Sequence, residues 1–328
     1  MLRAFLRQVK AGAVRVAMAT VVVLALAQPA SAQLSYQSGQ NISPAFEGWE
    51  ANDDGSFSLV FGYLNRNWQE ELDVPVGPEN SLSPGPADQG QPTHFLPRRN
   101  RFVFKVRVPA DFGDQEMVWT LVTQDKTEYA YGSLRTDYKL DNIVIASETG
   151  ALGIGQSNAA TRANTPPILT VEGDAVRHVS VGQPITIEAT IADDGLEAEI
   201  RRTRALAERA RQAPPPTAPP KLSERQLRPP VRITVNKSLG LHLSWFVFRG
   251  DGEVEFDPPQ VKTWEDTRTG ANSPWAPLYV RPPVPEDARW EVTVTFDQPG
   301  TYVLRGRADD GALFHDRDVT IVVRPVTQ

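Results

Sequence analysis

Apolar and polar residues alternate along short segments that occupy most of the chain after residue 34. In the segment 56–64, Phe57, Leu59, Phe61 and Tyr63 share one face and smaller residues occupy the other, which is the period of two of a β-strand with one buried face. Turn clusters rich in Gly, Pro and Asp separate such segments. The pattern therefore predicts an all-β fold. Further strand patterns lie at 102–108, 117–122, 127–134, 168–171, 176–181, 185–191, 231–235, 241–248, 290–296, 302–307 and 319–323.

The strand patterns fall into two stretches, 34–147 and 166–328, each large enough for a β-sandwich domain. Between them, 148–165 is rich in Gly and other small residues and is typical of a linker. Within the second stretch, 196–230 combines an amphipathic helical pattern with a proline-rich segment, and its eight basic and four acidic residues give it a charge of +4. We expect two tandem β-sandwich domains, the second immunoglobulin-like and carrying this inserted helix and proline-rich arm.

The first 32 residues have the features of a secretory signal peptide. An apolar run, Val16–Ala27, follows four basic residues and precedes Ala30, Ser31 and Ala32, a small-residue pattern that signal peptidases accept. As a helix, the run would be about 18 Å long, too short for a hydrocarbon core of about 30 Å. We expect cleavage after Ala32, a periplasmic or extracellular location, and no membrane span in the mature chain.

Charge and cysteine content exclude several classes of function. The chain has 34 basic and 40 acidic residues, and loss of the four basic residues of the signal peptide leaves 30 against 40, a net charge of −10. Nucleic acids and anionic membranes require a basic surface, so neither is expected as a partner. With no cysteine and only four histidines, thiolate and histidine-rich metal sites are not expected, and a metal would have to be held by oxygen.

Two aromatic residues of the second stretch fit positions of an immunoglobulin-like sandwich. Trp245 lies on the apolar face of its strand, where such sandwiches hold a core tryptophan. Tyr302 follows a turn at the start of a strand, as in a tyrosine corner. In that strand Leu304 faces inward with Tyr302, whereas Arg305 and Arg307 face outward.

A family resemblance rests on three segments of the second domain. The segments Phe296–Gly311 and Val319–Val323 resemble the last third of the PKD and cadherin-like immunoglobulin-fold modules of secreted bacterial proteins, and Ile185–Gly195 resembles their early strand and acidic turn. Together they cover about half of the second domain. The resemblance implies a binding or structural role and names no ligand. The first domain resembles no particular family.

Two near copies of one turn provide a candidate metal site. Asp193 and Asp194 precede a glycine, as do Asp309 and Asp310. In a sandwich the two turns would lie at the same end, where four carboxylates could supply oxygen ligands to calcium. The alternative is that Asp-Asp-Gly forms a stable turn in which the carboxylates cap backbone amides.

Trp264 and Trp275 are the candidate ligand-binding residues. Both lie in a long loop, 257–287, outside any alternating pattern. Exposed aromatic planes stack on sugar rings or on proline-rich peptides. The alternative is that the two indoles fold back and cover the edge of the sandwich.

Two clusters of basic residues are weaker candidates for binding. Arginines of the inserted arm could contact an acidic polysaccharide or a partner protein, although such a run is also typical of a solvated helix face. A second cluster before a strand could bind an anion, or serve solubility alone. The first cluster consists of Arg201, Arg202, Arg204, Arg209 and Arg211, and the second of His94, Arg98, Arg99 and Arg101.

No local catalytic motif is present: the chain has neither Gly-x-Ser-x-Gly nor His-Glu-x-x-His. We therefore expect no enzyme but an exported, non-catalytic binding or structural protein of the cell envelope, acting through sandwich loops on an envelope protein or polysaccharide. The alternative is a carbohydrate-binding module or glycan-active enzyme that uses Trp264 and Trp275. A plain spacer between other domains is the third hypothesis.

Overall fold

The computed structural model describes residues 36–149, 162–195, 240–264 and 282–325, and β-strands predominate in these ranges. The expected signal peptide and inserted arm, and most of the expected linker, lie outside them. No helix among the described residues is long and apolar enough to cross a membrane. The strand expected at 231–235 also lies outside the described ranges. The predicted all-β class with two sandwiches is confirmed.

The N-terminal sandwich consists of two three-stranded sheets with strand orders β1-β2-β6 and β4-β7-β8, together with the short pair β3-β5. All of these pairings are antiparallel. The strand that carries Trp119, β7, is central in its sheet, between β4 and β8. The strands are β1 (Ile42–Ala51), β2 (Phe57–Asn65), β3 (Leu72–Asp73), β4 (Asn80–Ser83), β5 (His94–Phe95), β6 (Arg98–Val108), β7 (Met117–Thr123) and β8 (Lys126–Gly132).

Trp119 lies at the centre of the N-terminal core. Its ring centroid is 4.9 Å from that of Phe104 and 6.1 Å from that of Phe61, both in edge-to-face geometry. The indole N–H donates to Asn80 Oδ1 at 3.0 Å, so the polar atom of this fully buried side chain is satisfied. The core is thus built on inward-facing aromatic residues of both sheets.

A bulge with two extra residues interrupts β6. Phe61 of β2 pairs with Phe104 and Tyr63 pairs with Asn100, so the single residue Gly62 faces the three residues 101–103. A Cβ atom at Gly62 would overlap Glu47 Oε1 and would lie 2.5 Å from the carbonyl oxygen of Asn100. Only glycine therefore allows the bulge to lie this close to β2.

A short helix, α1 (Asn142–Glu148), precedes the expected linker and was not predicted. Asp141 is its N-cap, and the Asp141 carboxylate accepts a hydrogen bond from the backbone N–H of Val144 at 2.8 Å. Only Ala146 of the helix is buried. The helix is too short for its apolar positions to show a period of 3.6, and the cap was therefore its only sequence signal.

The C-terminal sandwich consists of two four-stranded sheets with orders β10-β16-β15-β12 and β13-β14-β11-β9. Pairing is antiparallel except between β10 and β16. The strands are β9 (Ile168–Val171), β10 (Val176–Ser180), β11 (Ile185–Ala192), β12 (His242–Arg249), β13 (Val254–Asp257), β14 (Arg289–Phe296), β15 (Gly300–Asp309) and β16 (Phe314–Arg324).

Both immunoglobulin-like aromatic positions are confirmed. Trp245 is buried in the C-terminal core and packs against Gly306. The hydroxyl of Tyr302 donates within a tyrosine corner, lying 2.7 Å from the carbonyl oxygen of Asp251 and 3.1 Å from that of Gln298. Gly250 has a φ of +145°, and a Cβ there would overlap the Tyr302 ring. The corner therefore depends on glycine at 250 as much as on the tyrosine.

Candidate functional site

The outward faces of β12 and β15 pack against the N-terminal sandwich. Arg305 and Arg307, expected to face outward, do lie on the side of β15 opposite the C-terminal core, but they are only 9% and 3% exposed. The alternation placed them correctly on a face, and it carried no information that a second sandwich covers that face. We call this contact the seam; its polar part comprises Arg305, Arg307, Asp316, Asp318 and the backbone carbonyls of residues 101–103.

Each seam arginine is held by the aspartate directly opposite it on β16. Arg305 faces Asp318 and Arg307 faces Asp316 in the strand register. Nε and Nη2 of Arg305 lie 2.7 Å from the two carboxylate oxygens of Asp318, and the same atoms of Arg307 lie 2.8 Å from those of Asp316. Both pairs are bidentate, the strongest geometry for this contact. Burial raises the pKa of Asp316, but the hydrogen bond from Arg307 and the charges of Arg307 and Arg305 together lower it below its usual value.

The remaining guanidinium N–H groups cross to the bulge of β6. Arg305 Nη1 donates to the carbonyl oxygen of Val103, and Arg307 Nη2 donates to that of Phe102 at 3.2 Å. Arg307 Nη1 also donates to the carbonyl oxygen of Arg101 at 3.5 Å. A bulge leaves backbone groups without ladder partners, and here the second sandwich supplies those partners. The bulge and the arginine pair are thus complementary parts of one contact.

An aromatic ring lies against each of the two guanidinium groups. Cζ of Arg305 lies 3.5 Å from the ring centroid of Phe248, and Cζ of Arg307 lies 4.0 Å from that of Phe314. Phe248 belongs to β12 but is buried in the N-terminal core cluster. Cation–π contacts of this kind gain strength when the charge is removed from water. The core of the N-terminal sandwich therefore includes a side chain that the second sandwich supplies.

Further hydrogen bonds cross the seam beside β5. The Arg249 guanidinium binds both carboxylate oxygens of Asp88 at 2.7 and 3.0 Å, and its Nε donates to the carbonyl oxygen of Gln91 at 2.8 Å. The backbone N–H of Thr93 donates to the carbonyl oxygen of Phe248 at 3.1 Å. The described residues from Gln37 onward form one compact unit.

Trp264 is part of the seam and is not an exposed aromatic plane, which corrects the premise of the predicted ligand platform. Its indole N–H donates to Asn100 Oδ1 at 3.1 Å, its ring lies 5.3 Å from that of Phe246, and Cζ of Arg307 lies 5.0 Å from its centroid. These contacts match the alternative in which the loop folds back over the sandwich. Trp275 lies outside the described residues.

The two Asp-Asp-Gly turns do meet at one end of the C-terminal sandwich. Asn164 Nδ2 donates to Asp310 at 2.8 Å, and the next residue, Thr165, donates its backbone N–H and its hydroxyl to Asp194. Each carboxylate also caps its own or a neighbouring turn: Asp193 accepts from Gly195 N–H, and Asp309 accepts from Gly311 N–H. We call this region, residues 163–165, 193–195 and 309–312, the aspartate end.

Two carboxylates of the aspartate end are destabilised in their charged form. Burial raises the pKa of Asp310. Burial also raises the pKa of Asp193, and the nearby charges of Asp310 and Asp194 add to that rise. Such mutual repulsion is what a bound cation would relieve. Among the described residues, no group of three or more His, Cys, Asp or Glu side chains is arranged to hold a metal ion.

Calcium binding by Asp193, Asp194, Asp309 and Asp310 stays a prediction that a titration can test. Because each of the four carboxylates already accepts at least one hydrogen bond, we expect calcium to leave the melting temperature of metal-stripped protein unchanged. Differential scanning fluorimetry with and without millimolar calcium measures this. A rise in melting temperature that Asp310→Asn removes would establish the site and contradict the capping account.

The cations of the candidate anion site around His94 already have partners in the protein, and anion binding there stays a hypothesis. His94 Nδ1 lies 2.7 Å from Asp73 Oδ1, and Nε2 lies 2.8 Å from Glu71 Oε2. Arg99 lies 2.7 Å from Glu47, and Arg101 lies 2.7 Å from Glu148. Arg98 stacks over Trp68 at 4.3 Å. An anion would have to displace these partners.

His94 makes stability depend on pH in the alkaline range. Burial lowers its pKa, but the hydrogen bonds that His94 donates to Asp73 and Glu71, together with their negative charges, outweigh burial and raise the pKa to about 9. The contribution is complete below the unfolded-state pKa of about 6.5 and is lost as pH rises through about 9. Because both carboxylates are partly exposed, we expect a loss of about 2 kcal/mol. Urea unfolding of wild type and His94→Gln between pH 6 and 10 measures it. Equal pH slopes for the two proteins would contradict the assignment.

The ion pairs of the seam were not predicted from the sequence, although the sequence contains a pattern that indicates them. Arg305 and Arg307 alternate on β15, and Asp316 and Asp318 alternate on β16 with the same period. Opposite charges at matching positions of a predicted hairpin indicate cross-strand pairs. The pairing could have been read from this pattern, but its burial could not.

The chain matches no protein family and no curated protein in sequence. Among solved structures, it is similar to the three N-terminal domains of the bacteriophage RB49 highly immunogenic outer capsid protein, with 9% identity over 86% of this chain and 58% of that chain and a TM-score of 0.19. Domains 4 and 5 of the S-layer protein SbsC match with 9% identity over 87% of this chain and 98% of that chain, at a TM-score of 0.20.

A three-immunoglobulin structure of titin matches with 10% identity over 87% of this chain and 65% of that chain, at a TM-score of 0.20. The chain thus spans less than two thirds of the capsid and titin structures. Structural similarity at such low TM-scores carries no argument about function. The assignment of two sandwiches rests on the sheets and cores of the chain itself.

Proposed function

We propose that this chain is an exported, non-catalytic binding or structural protein of the cell envelope, in which two sandwiches act as one rigid body. The observation that carries the proposal is the seam, where Arg305 and Arg307 are buried between the sandwiches and bonded to both. A plain flexible spacer needs no such contact. A protein that must hold a binding surface in a fixed orientation does.

The aspartate end is the proposed contact surface for the partner, which is an envelope protein or a polysaccharide. Its turns follow one strand of each C-terminal sheet, β11 and β15, and Asn164 and Thr165 donate hydrogen bonds to their aspartates. Loops presented by a rigid scaffold are the usual location of binding residues. The opposite end of β15, the turn 297–300, is the matched control surface because it lies a full strand length away.

Site-specific photo-crosslinking in the native envelope tests this proposal. A photoreactive amino acid in place of Ala163, an exposed residue of the aspartate end, is expected to give a discrete crosslinked species. The same amino acid in place of exposed Gln298 at the opposite end is expected to give none. Equal crosslinking from both positions, or none from Ala163, would contradict binding through the aspartate end.

The alternative, glycan binding or glycan-directed catalysis through Trp264 and Trp275, stays a prediction. It requires that soluble glycans quench tryptophan fluorescence and that Trp264→Ala abolishes the quenching. Since Trp264 also donates to Asn100 across the seam, the variant must first be shown to keep the melting temperature of the wild type.

A further inference from the structure

The outer face of the β4-β7-β8 sheet carries a pair of exposed tyrosines. Strand alternation turns Trp119 and its neighbours inward and leaves the other side of each strand pointing away from the core. We call the outward positions of these three strands the tyrosine face. It comprises Ser81, Ser83, Val118, Thr120, Val122, Thr127, Tyr129 and Tyr131.

Tyr129 and Tyr131 lie next to one another along the edge strand β8. They are 50% and 54% exposed, among the most exposed large apolar side chains of the described residues. Their ring centroids are 6.2 Å apart, with the ring planes 37° from each other. In register they face Thr120 and Val118 of β7, so a continuous row of β-branched residues supports the rings. The two rings therefore form one aromatic surface that runs along β8.

The tyrosine face carries no charge. None of its residues is Asp, Glu, Lys or Arg, although such residues make up 23% of the chain. The exposed side of β6 is different, with Lys105 paired to Glu50 and Arg107 paired to Asp54. Without a cation, the tyrosine face offers nothing to nucleic acids, anionic lipids or acidic polysaccharides. Six of its residues, all Ser, Thr or Tyr, carry hydroxyl groups that both donate and accept hydrogen bonds.

We propose that the tyrosine face binds a neutral polysaccharide chain. The apolar face of a sugar ring stacks on an aromatic plane, and the surrounding hydroxyl groups match those of a sugar without requiring charge on either side. Two rings in sequence along one strand provide two adjacent stacking positions, which suits a chain of sugars better than a single sugar. The site is separate from the aspartate end and does not rest on the function proposed for it.

Affinity electrophoresis in native gels tests the proposal with three soluble neutral polysaccharides, laminarin, galactomannan and dextran, and with alginate as an acidic comparison. We expect at least one neutral polysaccharide to retard the wild-type protein and alginate to leave it unretarded. Tyr129→Ala and Tyr131→Ala are each expected to weaken binding roughly tenfold, and the double variant to abolish retardation. Tyr138→Ala, at a tyrosine of similar exposure outside the face, is the matched control and is expected to bind as the wild type does.

Because the two tyrosines are exposed, we expect their replacement to leave the fold intact. Equal melting temperatures of the wild type and all variants verify this. Three outcomes overturn the proposal: no retardation of the wild type by any of the neutral polysaccharides, undiminished retardation of the double variant, or retardation by alginate alone. Failure here leaves crosslinking at the aspartate end unaffected, so the two proposals fail separately.

Discussion

Replacing Arg307 with alanine is expected to lower the free energy of unfolding by about 3–5 kcal/mol. The side chain is 3% exposed, and its removal leaves the Asp316 carboxylate without its bidentate partner and the Phe102 carbonyl without its donor. A buried charge that loses its partner costs far more than the pair itself contributes. Urea or guanidinium denaturation at neutral pH measures the change.

Arg289→Ala is the matched control, since Arg289 forms an ion pair with Glu188 on the same sandwich but is about half exposed. We expect this variant to lose no more than about 1 kcal/mol. The double variant Arg307→Met with Asp316→Leu is expected to recover much of the loss, because an apolar pair no longer leaves a buried charge. A loss of less than about 1 kcal/mol for Arg307→Ala would show that the seam is open to water in solution.

Gly62→Ala is the second change expected to have a large effect, a loss of about 3 kcal/mol. The added Cβ would overlap the Glu47 carboxylate and the backbone carbonyl of Asn100. Glu47 could rotate away only by giving up its ion pair with Arg99, and the carbonyl belongs to the strand itself. The bulge would therefore have to shift, and its carbonyls would move away from the seam arginines. Denaturant unfolding of the variant measures the loss.

Gly77→Ala is the matched glycine control, because a Cβ there meets only one atom, a carbonyl oxygen at 4.0 Å. We expect a change within about 1 kcal/mol, and a slight stabilisation is consistent with the lower entropy of the unfolded chain. If the two alanine variants were equally stable, the bulge would not lie as close to β2 as described.

Strand positions could be predicted from the sequence because one face of each strand is apolar. The alternation around Trp119, Trp245 and Tyr302 identified both cores and the tyrosine corner. It is less informative where both faces are buried: on β12, Trp245 packs in one core and Phe248 in the other. Alternation shows that two faces differ and does not show what covers each of them.

The bulge of β6 shows a second limit of pattern analysis. In a regular strand Phe102 and Val103 would point to opposite faces, but both are buried because the bulge changes the phase of the strand. The sequence signal for a bulge is one glycine on the partner strand, and Gly62 alone does not indicate it. Since the bulge carbonyls complete the seam, the seam could not be predicted either.

The candidate sites also differ in how much of their geometry could be predicted from the sequence. Convergence of the two Asp-Asp-Gly turns followed from sandwich topology and is confirmed by the hydrogen bonds at Asn164 and Thr165. The position of Trp264 against Asn100 depended on how a long loop folds, which no local pattern specifies. Tyr129 and Tyr131 lay inside a predicted strand, but their exposure depends on the sheet being open on that side.

Differential scanning calorimetry of the protein without residues 1–32 tests most directly whether the seam joins the two sandwiches into one unit. A contact that buries Arg305 and Arg307 between both cores predicts a single transition whose calorimetric and van't Hoff enthalpies agree. Arg307→Ala should shift that transition to lower temperature or divide it in two. Two resolved transitions in the wild-type protein, unchanged by Arg307→Ala, would contradict the account.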